Sequence, residues 1–287
     1  MNAYISLLVD VPTVQNVIMV SDTNRFVLAF GANDYGAATQ DPMLIRWSNQ
    51  EDPYNWTPDA TNQAGSVRLS HGSKIVAAVQ TRQEIFVITD ASAYSLQYLG
   101  PPYVWGSQLL GDNISIVSPN SATIASGVVY WMGVDKFYLY DGRVQTLNCD
   151  LRRYIFSDIN ISQYDQIFCS TNEGFNEVWW FYCSADSNTV DRYVVYNYIE
   201  KVWYYGNMAR TAWIDSGLRA YPEAATYSYN IVNHEYGLND NETGTTAAID
   251  AYISSSEFDI GDGHNFGFVW RILPDLTFDK STRSEEH

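Results

Sequence analysis

Four histidines, three cysteines and 33 carboxylates are the groups from which this chain could assemble chemistry. A hydrolytic triad would need His71, His234 or His264 beside a serine or cysteine and a carboxylate, and no G-x-S-x-G elbow marks a nucleophile. Each of these histidines, and the terminal His287, reads as a loop residue, so no catalytic residue is assigned. Two segments collect hard oxygen ligands beside glycines, Asn239-Asp-Asn-Glu-Thr-Gly244 and Asp259-Ile-Gly-Asp-Gly-His264. Neither has the spacing of a calcium loop, and Asn and Asp start turns without an ion, so no metal ligand and no cofactor is assigned. Cys149, Cys169 and Cys183 form no C-x-x-C pair, which gives neither a zinc site nor a disulfide framework. Cys169 and Cys183 could meet across a hairpin turning near Gly174, yet a buried reduced thiol is the expected state in a reducing cytoplasm.

Carbohydrate chemistry is the other class to weigh. Ser48-Asn-Gln-Glu-Asp-Pro-Tyr-Asn-Trp56 can be set against the Asp box of sialidases, but the spacing differs and Pro53 stands where that turn has glycine. A turn stiffened by Pro53 and Asn55 and anchored to the core by Trp56 is expected instead. Glycoside cleavage needs two carboxylates about 5 to 10 Å apart, which no spacing here specifies. Tyr98, Tyr103, Trp105, Tyr227 and Tyr229 are candidates for a sugar-stacking platform, in a chain whose 22 tyrosines make some aromatic loops inevitable. Protein interfaces are an equal outlet for such residues.

The elements that would position any of these groups recur along the chain. An aromatic-rich apolar strand, a Gly/Asp/Asn turn and a second strand appear as Phe26-Val-Leu-Ala-Phe30 with Met43-Leu-Ile-Arg-Trp47, and as Ile85-Phe-Val-Ile88 with Ala93-Tyr-Ser-Leu96. They return as Val128-Val-Tyr-Trp-Met132 with Phe137-Tyr-Leu-Tyr140, and Val178-Trp-Trp-Phe-Tyr182 with Tyr193-Val-Val-Tyr196. The leading strands are 59, 43 and 50 residues apart, near the length of a propeller blade. Val128 to Met132 and Val178 to Cys183 have no polar face, so both of their faces must be covered. Radially stacked sheets do this, with Trp131, Trp179 and Trp180 filling the gaps between them. A parallel sheet would need crossover helices, and few windows carry helical periodicity. The fold class expected is all-β: an irregular β-propeller-like body with a smaller C-terminal β region, over residues 1–220 and 221–287, the boundary falling in residues 217–222.

Composition agrees with a substantial core: 46% of the 287 residues are hydrophobic and 15% aromatic, while only 17% are charged. The net charge of −17 argues against a surface that grips phosphates, because that affinity comes from clustered Lys and Arg. The first ten residues lack the basic start and cleavage site of a signal peptide, and no run has transmembrane length, so no membrane partner is expected.

Leu44-Ile-Arg-Trp-Ser-Asn-Gln-Glu-Asp-Pro-Tyr-Asn-Trp56, followed by Ile85-Phe-Val-Ile-Thr-Asp-Ala-Ser-Ala-Tyr-Ser-Leu96, Val129-Tyr-Trp-Met-Gly133 and Phe137-Tyr-Leu-Tyr-Asp-Gly142, resembles the tail hub, nozzle and packaged-DNA stabilisation proteins of short-tailed bacteriophages. Ser255-Ser-Glu-Phe-Asp-Ile-Gly-Asp-Gly263 and Ile272-Leu-Pro-Asp-Leu-Thr-Phe278 resemble the segment leading into the last β domain of those proteins. The resemblance extends over most of residues 25–280 and implies a virion structural protein without enzymatic activity. It further implies a homo-oligomeric ring, hexameric by expectation, below the portal and adaptor proteins of the head-to-tail connector and above tail fibre or tail-tip proteins. Such a ring continues the DNA channel and helps retain packaged DNA until ejection.

Six copies of a chain with 17 net negative charges would line that channel with charge that repels DNA, which then passes without sequence-specific binding. Members of the family are longer at both ends, so a partial or divergent member, stable mainly in its assembly, is expected. The expected place is the virion tail, reached by assembly in the host cytoplasm. Two alternatives stand beside it: a β-propeller glycan-binding or glycoside-cleaving tail protein, and a calcium-stabilised adhesin that a chelator would destabilise.

Overall fold

The structure, a computed structural model, describes residues 10–242, 244–249, 263, 267–271 and 273. Its strands form antiparallel meanders in which spatial order follows chain order. The first sheet contains β1 (Val17–Val20), β2 (Val27–Phe30), β3 (Leu44–Trp47) and β4 (Gly65–Arg68). The second contains β5 (Ile75–Gln80), β6 (Ile85–Thr89), β7 (Ser92–Gly100) and β8 (Val104–Asp112). The third contains β9 (Ala122–Ala125), β10 (Val128–Met132), β11 (Phe137–Tyr140) and β12 (Val144–Leu147). The fourth contains β13 (Phe168–Asn172), β14 (Glu177–Tyr182), β15 (Arg192–Asn197) and β16 (Val202–Asn207). A three-stranded sheet of β17 (Ala212–Ile214), β18 (Glu223–Ala225) and β19 (Ile231–Asn233) follows, then a short pair, β20 (Asn239–Asp240) and β21 (Ala247–Ala248).

The first strands β1, β5, β9, β13 and β17 lie side by side from one sheet to the next, as the innermost strands of propeller blades do. The fold is all-β and β-propeller-like. Each of the four strand pairs expected from the sequence is the central pair of one four-stranded sheet, with registers such as Trp131 opposite Tyr138 and Trp180 opposite Val194. Residues 217–222 connect β17 to β18 within the three-stranded sheet.

Why these residues make stacked sheets is visible in β14. Val178, Trp180 and Tyr182 pack toward the third sheet, while Trp179 and Phe181 pack toward the three-stranded one. With a side-chain period of two, a strand buried on both faces has room for a polar residue only where partners satisfy it, as they do for Glu177 at the start of β14. In β10, Tyr130 and Met132 face the fourth sheet and Val129 and Trp131 the second; in β6, Ile85 and Val87 face the first and Phe86 and Ile88 the third. Indole N–H groups tie the layers together. Trp180 donates to the Ser121 carbonyl at 3.1 Å, Trp203 to Asn148 at 2.8 Å and Trp213 to Thr171 at 3.0 Å, each to the preceding sheet or the segment beside it.

Turn chemistry is local. Ser126 and Gly127, the two residues between β9 and β10, both have positive φ, the requirement of the hairpin turn whose twist matches its strands. One α-helix, α1 (Arg152–Asp158), lies between β12 and β13 and buries Ile155 against the fourth sheet's core. The Ser48–Trp56 turn behaves as expected: Trp56 is buried against Ala29 and Ala32 on the outer face of the first sheet, and its indole donates to the Pro53 carbonyl at 2.9 Å.

Candidate functional site

Two carboxylates meet where the fourth sheet adjoins the three-stranded one. Glu177 opens β14, and Glu235 follows β19 with a left-handed φ of 58°. Asn172, the last residue of β13, lies between them: its Nδ2 donates to Glu177 Oε2 at 3.4 Å and to Glu235 Oε1 at 3.2 Å. Glu177 is buried, and it also accepts from the indole of Trp179 at 2.8 Å and from the hydroxyl of Tyr204. Burial, then the Glu177 charge, pushes the Glu235 carboxyl above the usual range, with the Asn172 hydrogen bond opposing. Burial and the bond to Glu177 likewise push the Tyr204 phenol well up.

A second group adjoins this one. Arg210, itself buried, donates from Nε to His234 Nε2 at 3.0 Å and pairs with Glu242 at 2.9 Å. His234 packs against Trp213 with the rings tilted by 36° and their centroids 4.4 Å apart. Burial first, and the Arg210 charge second, lower its pKa to about 4, so the imidazole is a neutral acceptor. These residues border a cleft of about 1050 Å³, lined in part by Arg210, His234, Glu235, Tyr236, Asn239 and Glu242.

The arrangement is suited to holding rather than reacting. Both oxygens of Glu177 already accept hydrogen bonds, three in all, so it fixes the start of β14, and it is not among the residues that line the cleft. Glu235 is the more reachable acid. His234 makes the junction acid-sensitive, and the sign follows from its lowered pKa. The unfolded chain binds the proton near pH 6.5 and the folded one only near 4, so the contribution is complete above 6.5 and is lost as pH falls through that window. Solvent screening at this half-buried ring leaves about 1–2 kcal/mol. Urea midpoints of wild type and His234→Gln between pH 7 and 4 are expected to show the wild type losing stability more steeply by that amount.

The other residues singled out in the sequence are scattered. His71 is exposed beside Ser70, and its backbone N–H and C=O hydrogen bond to Tyr94 and Ser92. His264 and His287 lie outside the described residues. Of the two calcium-like segments, Asp259-Ile-Gly-Asp-Gly-His264 lies outside them except for Gly263. In the other, Asp240 accepts from the Glu242 backbone at 2.8 Å, and the Glu242 carboxylate is taken by Arg210. Among the described residues no three His, Cys, Asp or Glu side chains converge on a metal position. Ser255-Ser-Glu-Phe-Asp-Ile-Gly-Asp-Gly263 and Ile272-Leu-Pro-Asp-Leu-Thr-Phe278 lie outside the described residues but for Gly263 and Leu273.

The thiols are free, and burial raises all three, Cys183 to about 11, Cys149 to about 12 and Cys169 well above its ordinary value. Cys169 stands opposite Trp180, and Phe168, the first residue of β13, already pairs with Phe181, so Cys183 falls beyond the end of that ladder. Tyr98 and Trp105 pack together in the second sheet with centroids 5.6 Å apart. The Tyr227 hydroxyl accepts from the Val190 backbone N–H, and Tyr103 and Tyr229 are exposed, so the five aromatics form no common platform. Asn172, Glu177, Arg210 and Glu235 were not anticipated. The one signal available was Glu177, a single carboxylate leading an otherwise apolar strand.

No family model and no curated protein matches the chain. Among solved structures it is similar to Hsv2 of Kluyvelomyces marxianus, at 10% identity and a TM-score of 0.43 over 82% of this chain and 65% of that one. It is also similar to the extracellular domain of a one component system of B. thetaiotaomicron, at 9% identity and a TM-score of 0.42 over 83% of this chain and 35% of that one. The chain thus spans less than two thirds of the length of either structure.

Proposed function

We propose that this chain is a structural subunit of the tail hub or nozzle of a short-tailed bacteriophage, acting in the virion without catalysis. It would form a homo-oligomeric ring, hexameric by the family pattern, that joins the portal and adaptor proteins above to the distal tail and lines the DNA passage. The observation that carries this reading is the apolar character of the outward faces at both ends of the sheet stack. On β1, Val17 and Met19 face the core, which leaves Ile18 and Val20 outward, each 58% exposed. On the three-stranded sheet, Trp213, Ala224 and Val232 face the fourth sheet, which leaves Ile214 and Ile231 outward, 55% and 76% exposed. Branched apolar residues on a pleated face favour cover by another protein surface. The net charge of −17 favours a bore that DNA slides through.

The test is cryo-electron microscopy of the purified protein, alone and mixed with the connector complex. A ring with an axial opening, or density in register below the connector, is the expected result; a discrete monomer that ignores the connector overturns the reading. The double variant Ile214→Asp/Ile231→Asp is expected to keep the wild-type circular dichroism spectrum and to lose assembly, as read by light scattering on a sizing column.

A glycoside-cleaving tail protein is the second reading, favoured by one observation: Glu177 and Glu235 share the Asn172 amide beside Trp179, Trp213 and Tyr204. Release of reducing ends from a host-surface glycan, abolished by Glu235→Gln, would establish it in place of the first.

A further inference from the structure

The sheet stack runs short of one strand. Four sheets have four strands each and the next has three, and among the described residues nothing pairs with the outer edge of β19. The register shows which groups wait there. Thr226 N–H donates to the Asn230 carbonyl at 3.0 Å and His234 N–H to the Pro222 carbonyl at 2.7 Å, so the ladder bonds between β18 and β19 run through Asn230, Val232 and His234. The alternation of an antiparallel ladder then turns the N–H and C=O groups of Ile231 and Asn233 away from β18, where they form an open edge.

The neighbouring sheet lacks cover in the corresponding place. Elsewhere the outermost strands meet from sheet to sheet: Val67 of β4 shares a cluster with Trp105 of β8, Leu110 of β8 with Val144 of β12, and Leu147 of β12 with Trp203 of β16. The other face of β16 carries Val202 and Tyr204, because Tyr204 stands opposite Val195, which packs toward the three-stranded sheet. Val202 is 51% exposed and Tyr204 36%. A fourth strand on β19 would take the position that covers such residues in the other interfaces. Room for it exists in the cleft of about 1050 Å³, bordered by Ile231 and Asn233 as well as by β20 and β21. The same chain carries an apolar run that no ladder of the described residues uses, Phe268-Val-Trp-Arg271, built from strand-forming types. Phe268, Val269 and Trp270 are 85%, 64% and 89% exposed, so the single chain leaves both the run and the edge unpaired. Charge also matches: Arg271 is the one charge between Phe268 and Leu273, and of Glu235, Asp240 and Glu242 at the cleft only Glu242 is paired with Arg210.

We propose that the Phe268–Arg271 run of one copy adds as the fourth strand to the three-stranded sheet of a second copy. Main-chain bonds to Ile231 and Asn233 supply affinity, and the alternate side chains of the incoming run, meeting Val202 and Tyr204, supply specificity. The 18 residues 249–266 span at most about 60 Å, enough to cross to an adjoining copy. Each copy then gives one strand and takes one, a head-to-tail contact of the kind that builds rings. The inference rests on the self-assembly proposed above and is independent of where in a virion the assembly stands.

The test mixes two full-length chains. One carries Asn233→Cys; the other, labelled with ¹⁵N, carries Phe268→Cys, Val269→Cys, Trp270→Cys or Arg271→Cys in turn. After oxidation at least one combination is expected to give a disulfide-linked product of mixed mass, read by intact mass spectrometry against a wild-type control. A link that forms only inside a chain carrying both cysteines assigns the edge to the chain's own segment and overturns the proposal, as does the absence of any link. Val269→Pro/Trp270→Pro, which takes an N–H from each edge of the run, is expected to keep the wild-type circular dichroism spectrum and to weaken self-association about tenfold or more in sedimentation velocity. Unchanged self-association of that variant overturns the proposal. An assembly that forms without these links overturns strand exchange alone, whereas linked copies that ignore the connector overturn the tail reading alone.

Discussion

Alanine at position 180 is expected to remove about 4 kcal/mol of stability and to lower the thermal midpoint by about 10 °C. Trp180 is completely buried between the third and fourth sheets, with its ring against Phe137 at 4.9 Å and Trp203 at 5.9 Å between centroids. Its removal leaves a void bordered by rigid strands on both sides, so relaxation can recover little of the lost contact. It also deprives the Ser121 carbonyl of its indole donor. Trp180→Phe keeps most of the apolar area and should lose roughly half as much. Urea denaturation of the three proteins measures this, and a loss below about 1 kcal/mol for alanine would mean that the two sheets do not share a close-packed interface.

Glu177→Ala should come next, at about 3 kcal/mol, for a different reason. Three donors converge on this carboxylate, from Trp179, Asn172 and Tyr204, and alanine leaves all of them facing a cavity. Glu177→Gln retains one acceptor oxygen and should lose about 1 kcal/mol. The glutamine variant carries a second expectation. With the Glu177 charge gone, the Glu235 carboxyl should titrate closer to the ordinary range, because one of the two influences raising it has been removed. Carboxyl-carbon NMR across pH 3 to 8 reads that shift directly, and an unchanged Glu235 titration would show that the two groups are not coupled.

Legibility in the sequence tracked burial. β2, β6, β10 and β14 were identifiable because a strand covered on both faces is apolar along most of its length, and that signal survives in a few residues such as Val178-Trp-Trp-Phe-Tyr182. The flanking strands were not. β4, Gly-Ser-Val-Arg, and β12, Val-Gln-Thr-Leu, are short, partly exposed and held mainly by their ladder to one neighbour, so they carry no period long enough to recognise. The helix α1 escaped for a similar reason: seven residues, one buried side chain and no capping side chain leave no 3.6-residue pattern. The junction around Glu177 was invisible because Asn172, Glu177, Arg210 and Glu235 come from separate strands and loops. Asn172 and Glu177 face each other in the β13–β14 ladder, but only the stacking of the next sheet brings Glu235 to them.

That stacking has a bearing on synthesis. Each large hydrophobic interface is shared by sheets consecutive in the chain, first with second, second with third, third with fourth, and fourth with the three-stranded one. A chain emerging from the ribosome can therefore complete its interfaces in the order its residues arrive, without holding any sheet in reserve for a distant partner. At every stage one aromatic face waits for the next sheet, so a pause after residue 207 would leave Trp179 and Phe181 uncovered until β17 delivers Trp213. At such a point a chaperone or a premature encounter with another copy would find an apolar surface to hold.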